Sequence, residues 1–233
     1  MSTQIDSALA LLREAETLPP AAFSCSFGAE DMVVLDLILR NRIAIDVFTL
    51  DTGRLPEETY ALMQQVEQVY GRCFATFHPD ADAVQALVRE RGINGFYQSI
   101  DNRKACCGVR KVEPLKRALQ GRRAWVTGLR AQQAASRAQL AGRDRDEALA
   151  IDKFNPLHDW TDQQVWQYIR SRDVPYNALH DRHYPSIGCA PCTRAIAVGE
   201  DPRAGRWWWE NPETRECGLH VQPPATIPIR AIA

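Results

Sequence analysis

The stretch "AFSCSFGAEDMVVLDLILR", residues 22–40, runs from a short apolar segment through a turn at Gly28 into a longer amphipathic one. A strand that ends in "SFGAED" and opens a helix lets the backbone approach a ligand at Gly28 while the first helical amides point at it. The same order recurs twice downstream. "AIDVFTLD" from 44 precedes "PEETYALMQQVEQVYG", with Pro56 at a helix start and Gly71 just past its end, and "CFATFHP" from 73 precedes "DADAVQALVRERG". "AWVTGLR" from 124 reads as a fourth strand. Repeated strand and helix segments predict an α/β fold, a mostly parallel sheet flanked by helices, with ligands bound at the carboxyl ends of the strands.

With 233 residues, 45% hydrophobic and 24% charged, the chain has enough apolar material for one or two domains without disulfide support. Its first twenty residues include Asp6, Arg13, Glu14 and Glu16, so they lack the apolar centre of a signal peptide. Ile5, Leu9, Leu12 and Glu16 fall instead on helical spacing, ended by Pro19 and Pro20. No run reaches the roughly 18 apolar residues of a membrane span, so no membrane association is expected. Seven cysteines without an export signal point to a reducing cytoplasm. The net charge of −1 gives no whole-chain reason to expect nucleic acid. Between Arg103 and Arg130, however, nine Lys or Arg face one acid, Glu113. That is either a solvated helix face or a basic wall for a small polyanion.

Beyond about residue 150 the texture changes. "HDWTDQQVWQYI" offers Thr161 and Gln164 as a capping box, and a loop-rich stretch follows, including "EDPRAGRWWWENPETRECGLH". The expected organisation is a nucleotide-binding domain over 1–200 and a tail over 201–233, anchored by one or two of Trp207, Trp208 and Trp209.

Three polar loops end three predicted strands. Ser26, Phe27, Gly28, Glu30 and Asp31 form the first, and Leu50, Asp51, Thr52, Gly53 and Arg54 the second. Gly128, Arg130 and Gln133, in "TGLRAQQAASR", form the third. One strand, glycine and helix junction is a weak signal, but three at neighbouring strand ends make one crevice, and a nucleotide with its phosphates there explains them together.

The cysteines form a second constellation: "ACCG" at 105–108, then "CAPC" at 189–192. A lone zinc ion needs four sulfurs to converge tetrahedrally, whereas the side chains of Cys106 and Cys107 diverge from adjacent backbone. An iron–sulfur cubane gives each thiolate its own iron corner, which favours a [4Fe-4S] cluster on Cys106, Cys107, Cys189 and Cys192. Zinc stays open, because His180, His183, Cys189 and Cys192 make an H-x2-H-x5-C-x2-C pattern. Cys25 reads as a small buried strand residue. Cys217, in "TRECGLH", is a lone thiol beside Gly218, either a packed bystander or a nucleophile kept out of the metal centre.

"SFGAED", "LDTGR", "KACCGVRKVEPL", "GLRAQQ", "CAPCTRA", "GEDPRAGRWWWE" and "ECGLH" together resemble the motif series of the assimilatory sulfonucleotide reductases, in particular the iron–sulfur branch, the adenylylsulfate (APS) reductases. The resemblance implies an adenine nucleotide alpha-hydrolase-like sheet with a C-terminal catalytic tail. It implies reduction of adenosine 5′-phosphosulfate to sulfite and AMP in sulfate assimilation, with thioredoxin or a similar dithiol as donor. It also implies a [4Fe-4S] cluster on the four paired cysteines, Cys217 as nucleophile and Lys111 between cluster and substrate. Arg203 and Arg206 would contact sulfate and phosphate.

Rival readings remain. A reductase of the 3′-phosphorylated nucleotide (PAPS) shares the loops and nucleophile but usually lacks the cysteine pairs, and dual specificity is open. An adenylyltransferase on the same sheet would carry an SGGxDS loop, which "SFGAED" is not. A non-enzymatic iron–sulfur sensor would need a nucleic-acid-binding helix. Whether the chain forms a homo-oligomer is not fixed by the sequence.

Overall fold

The computed structural model describes residues 2–133 and 137–211. Seven α-helices, α1 (Ser2–Glu16), α2 (Ala29–Arg40), α3 (Glu57–Tyr70), α4 (Ala81–Arg91), α5 (Ile100–Cys107), α6 (Glu113–Leu119) and α7 (Asp162–Arg172), surround one sheet among these residues. Its strands are β1 (Ala21–Ser24), β2 (Asp46–Leu50), β3 (Ala75–Phe77), β4 (Ala124–Val126), β5 (Arg143–Asp146) and β6 (Ile151–Phe154). The spatial order is β3-β2-β1-β4-β6-β5, parallel except where β5 pairs antiparallel with β6. The chain leaves β1 toward β2 on one side and returns as β4 on the other, so the sheet reverses direction beside β1. Such a reversal parts the loops above the strands and opens a crevice there.

Each predicted strand of the first two-thirds forms, and strand alternation divides the core into two layers. Ala21, Phe23, Val47, Ala124 and Val126 pack on one face with α1, α2, α3 and α7. Ala22, Phe48 and Trp125 pack on the other with Leu115, Ala118 and Leu119 of α6. Helix α2 is the centre of the first layer, with Met32, Val33, Val34 and Leu35 fully buried. Each such side chain contributes about 1.5–3 kcal/mol relative to exposure. Its Asp36 is also fully buried, and accepts hydrogen bonds from Arg40 Nε (2.6 Å), Tyr70 OH (2.6 Å) and Tyr168 OH (2.7 Å). Cys25 is buried as expected but lies one residue past the end of β1, where its N–H donates to Phe48 O at 2.8 Å.

Helix ends follow the local code. Pro56 precedes α3, Gly71 closes it at φ 80°, and the Asp80 side chain caps α4 by accepting from Ala83 N at 2.8 Å. Both halves of the Thr161 and Gln164 capping box are present at the start of α7. The β5–β6 hairpin has no counterpart in the sequence reading, because "RDRD" is an exposed, charged edge strand without an apolar alternation.

Residues 201–211 are built into the same body. Arg206 bridges Thr193, Arg194 N donates to Gly205 O (3.0 Å), and Trp207 N donates to Cys192 O (3.2 Å). Trp207 is the buried anchor of the tryptophan triplet, and Trp208 the exposed member.

Candidate functional site

Above the carboxyl ends of β1, β2 and β4 lies a crevice of about 510 Å³, large enough for a nucleotide. Ser26, Gly28, Glu30 and Asp31 line it from the first loop, Leu50 and Thr52 from the second, and Gly128, Arg130 and Gln133 from the third. Lys111, Arg203 and Arg206 close its far side. The first loop is held by backbone contacts of unusual closeness. Asp31 accepts from Ser26 N at 2.6 Å, and a Cβ added to Gly128 would overlap Asp31 Oδ1 and stand 3.1 Å from its backbone nitrogen. Burial pushes the Asp31 carboxyl up to about 6 against the hydrogen bonds from Ser26 that oppose it.

Four residues expected at the crevice face elsewhere. Phe27, at φ 60°, turns into the core and packs edge-on against Phe74 at 5.2 Å. The Asp51 carboxylate accepts from Gly53 N (2.8 Å) and Tyr60 OH (2.8 Å), so it organises its own loop. Gly53, at φ 67°, supplies the left-handed turn of that loop. Arg54 reaches away, to Asn94 Oδ1 (2.9 Å), Ile93 O (2.6 Å) and the Phe96 ring, and lines the cysteine cavity instead. Arg130 does reach the crevice, but its guanidinium is tied to Glu30 (2.7 Å) and Asp162 (3.3 Å), a cation committed to the crevice wall.

A second cavity adjoins the first. Cys106, Cys107, Cys189 and Cys192 all line it, with Arg54, Arg110, Lys111, Arg206 and Trp207 around them. Cys106 and Cys107 end α5, and the chain passes directly into a π-helical turn, Gly108–Val112. This wider turn points Arg110 at Thr52 O (2.7 Å) and brings Lys111 to both cavities. From the other side, Cys189 precedes a short 3-10 turn whose Ala190 N donates to Arg54 O (2.8 Å), and Tyr97 OH donates to Pro191 O (2.6 Å). Those bonds fasten the second cysteine pair to the loop after β2 and to the 95–97 turn that precedes α5.

The surroundings suit an anionic, sulfur-rich group. The Trp207 indole N–H and Arg110 Nε–H are buried there without a hydrogen-bond partner among the described residues, an expensive arrangement that a bound acceptor relieves. Burial pushes the Cys189 thiol up, but Lys111, a Thr52 hydroxyl 3.3 Å from the sulfur, Arg206 and Arg110 outweigh it and hold Cys189 below the usual thiol range. Burial raises Cys106, and burial together with neighbouring Cys189 pushes Cys192 up to about 12, so those thiols are protonated until a metal displaces the proton. Among the described residues no three His, Cys, Asp or Glu side chains converge on one point as a lone metal ion requires. Tetrahedral zinc thiolates stand about 3.8 Å apart, from a bond of about 2.3 Å. A cluster whose corners are separate irons asks for no such convergence, and the four cysteines around one cavity fit it. His180 lies on the crevice wall, stacked edge-on against Trp166 at 5.2 Å, apart from the four-cysteine cavity.

The basic run from Arg103 to Arg130 is not one wall. Arg103, Arg110, Lys111 and Arg130 line the cavities, while Arg117 and Arg122 pair with Glu113 and Asp46 outside them. The sequence reading had not placed Ser186 and Gly188 at the crevice. Their signal was faint, a "PSIG" loop beside the cysteines, and only Arg206 folding back onto it reveals the role. Cys217 lies outside the described residues. No helix among them is long and apolar enough to cross a membrane, and the six described cysteines are free thiols.

Known proteins resemble this chain over most of its length. A phosphoadenosine phosphosulfate reductase domain matches residues 20–195. An adenosine 5′-phosphosulfate reductase of Allochromatium vinosum is 55% identical, covering 94% of this chain and 86% of its own length. The Burkholderia cepacia protein of that name is 52% identical, covering 91% and 84%. Among solved structures, a phosphoadenylyl-sulfate reductase of Candida auris in complex with phosphate has a TM-score of 0.69 at 29% identity, covering 81% of this chain and 90% of its own. An FMN adenylyltransferase of Candida glabrata has a TM-score of 0.57 at 14% identity, covering 92% and 77%, a likeness of fold alone. Parallel sheet, nucleotide-sized crevice and matching domain agree, and the chain belongs to the phosphoadenosine phosphosulfate reductase domain family.

Proposed function

We propose that this protein reduces adenosine 5′-phosphosulfate to sulfite and AMP in sulfate assimilation, with Cys217 as nucleophile and thioredoxin or a similar dithiol protein as donor. The observation that carries the reading is that Lys111 and Arg206 line both the nucleotide crevice and the four-cysteine cavity. The names of the 55% and 52% identical relatives support the substrate, and the four cysteines with their cationic rim support a resident [4Fe-4S] cluster. Bound there, such a cluster supplies a fixed, charged tie between α5 and the 189–192 loop.

In the substrate a sulfonyl sulfur is bonded to a phosphate oxygen. The Cys217 thiolate attacks that sulfur, the sulfur–oxygen bond breaks, and its electron pair leaves on AMP, so Cys217 carries an S-sulfo group. An anion approaches an anion in this step. Lys111, Arg203 and Arg206 offset the repulsion from the crevice wall, and the low dielectric of a closed site strengthens them. A donor thiolate then attacks Cys217 sulfur, and sulfite leaves with the electron pair of the broken sulfur–sulfur bond. The donor's second thiol resolves the mixed disulfide, so both electrons come from the dithiol.

This reading makes the chain after residue 211 the catalytic tail. Cys217 follows Glu210 by seven positions, at most roughly 25 Å of extended chain. A cytoplasmic setting, where thiols and donor stay reduced, goes with it. The test is incubation with adenosine 5′-phosphosulfate without reductant, then peptide mass spectrometry. A sulfonate-mass adduct on the peptide holding Cys217, absent from Cys217→Ser, is expected. An adduct on another cysteine, or none, overturns the mechanism.

A further inference from the structure

Arg103 and Glu210 are 107 positions apart and form a bidentate ion pair, Nε to Oε1 at 2.9 Å and Nη2 to Oε2 at 2.8 Å. Their side chains are 1% and 3% exposed. Arg103 belongs to α5, three residues before Cys106; Glu210 ends the turn that begins at Arg206. Beside the pair is Trp207, whose ring has the Arg103 guanidinium at 5.0 Å and the Arg206 guanidinium at 4.7 Å. Its backbone sits at φ 43°, a left-handed conformation that costs a tryptophan on the order of 1–2 kcal/mol. Something must hold that turn.

We propose that Arg103 and Glu210 are a positioning pair for the reaction, clamping the 206–210 turn so that Arg206 is aimed at the phosphosulfate. The inference rests on the proposed function. Two physical features support it. Glu210 neutralises Arg103, so a second cation can lie against the same indole ring without facing an uncompensated guanidinium. Arg206 meanwhile donates to Ser186 Oγ at 3.3 Å and Ile187 O at 3.2 Å, bonds that orient the guanidinium. A buried pair whose only task was stability would be a poor investment, since desolvation offsets most of its attraction. One that fixes a geometry has a reason to be there.

A double-mutant cycle reads the coupling. Glu210→Gln keeps the shape of Glu210 and removes its charge, and should lower kcat/KM for adenosine 5′-phosphosulfate about tenfold and weaken AMP binding by calorimetry in step. In an Arg206→Ala background the same substitution should cost less than about twofold, because the residue it acts through is gone. Iron per chain should stay near wild type, while the melting temperature falls, since Glu210→Gln leaves the Arg103 charge buried without its counter-ion. Equal losses in both backgrounds overturn the proposal, as does unchanged AMP affinity in Glu210→Gln. If Glu210→Gln fails to fold, Arg103→Lys takes its place in the cycle. Loss of iron or of folded protein in both variants marks the pair as fold support and also overturns it. A wild-type protein that forms no sulfite from this substrate is a failure of the proposed function instead, and is seen before any variant is made.

Discussion

Gly188 lies directly beneath Arg206: a Cβ added there would overlap the guanidinium, 2.6 Å from Cζ. The loop before the cysteine pair thus has no side chain where the crevice needs a cation. The obstructed atoms are the end of a flexible side chain, so a larger residue can be accommodated if the guanidinium moves. Gly188→Ala should therefore leave stability within about 1 kcal/mol of wild type and raise KM for adenosine 5′-phosphosulfate about tenfold. Thermal melts and steady-state kinetics together check this. Large destabilisation with unchanged KM would show that the backbone, not Arg206, yields.

Lys111 stands between the two cavities. In the proposed reaction, removing its ammonium takes away charge stabilisation at the reacting sulfonyl group but none of the four thiols. Lys111→Ala should lower kcat by roughly 100-fold with bound iron unchanged, read by iron analysis beside turnover. Full activity in that variant would exclude the lysine from the reaction.

Asp31 gives a pH signature. Burial raises its carboxyl from 3.8 to about 6, so between those values the folded chain holds a proton that the unfolded chain has lost. Its stabilising contribution is complete below about pH 4 and is lost as pH rises through about 6. Asp31→Asn does not ionise. The stability difference, wild type minus variant, should fall by on the order of 2–3 kcal/mol from pH 4 to 7 in urea titrations. Parallel curves would refute the assignment.

Asp36 should separate stability from activity. It is fully buried against Arg40, Tyr70 and Tyr168 and lines neither cavity. Asp36→Ala strands those donors and should cost about 3–5 kcal/mol by chemical denaturation. Turnover per folded molecule should remain near wild type, and a selective loss of turnover would link α2 packing to the crevice.

The elements were legible where the signal is local. Pro56, Gly71 and the Thr161 and Gln164 box mark helix ends through bonds made within four residues, and they stand where the sequence puts them. The charged edge strand β5 escaped because exposed strands carry no burial pattern. Most residues of the three polar loops that follow strands line the crevice.

Direction was another matter. Asp51, Gly53 and Arg54 share a loop with Thr52, yet only Thr52 lines the crevice, because the turn at Gly53 sends Arg54 to Asn94 and Phe96. Nothing within a five-residue motif encodes which of its side chains faces a ligand; the packing of distant segments does. The union of Arg103 with Glu210, and of Gly188 with Arg206, belongs to the same class. Local periodicity and capping therefore determined the strands, helices and polar loops, since their energies depend on near neighbours. The tertiary structure alone decided which cations reach the two cavities, since that depends on contacts between residues 18 to 107 positions apart.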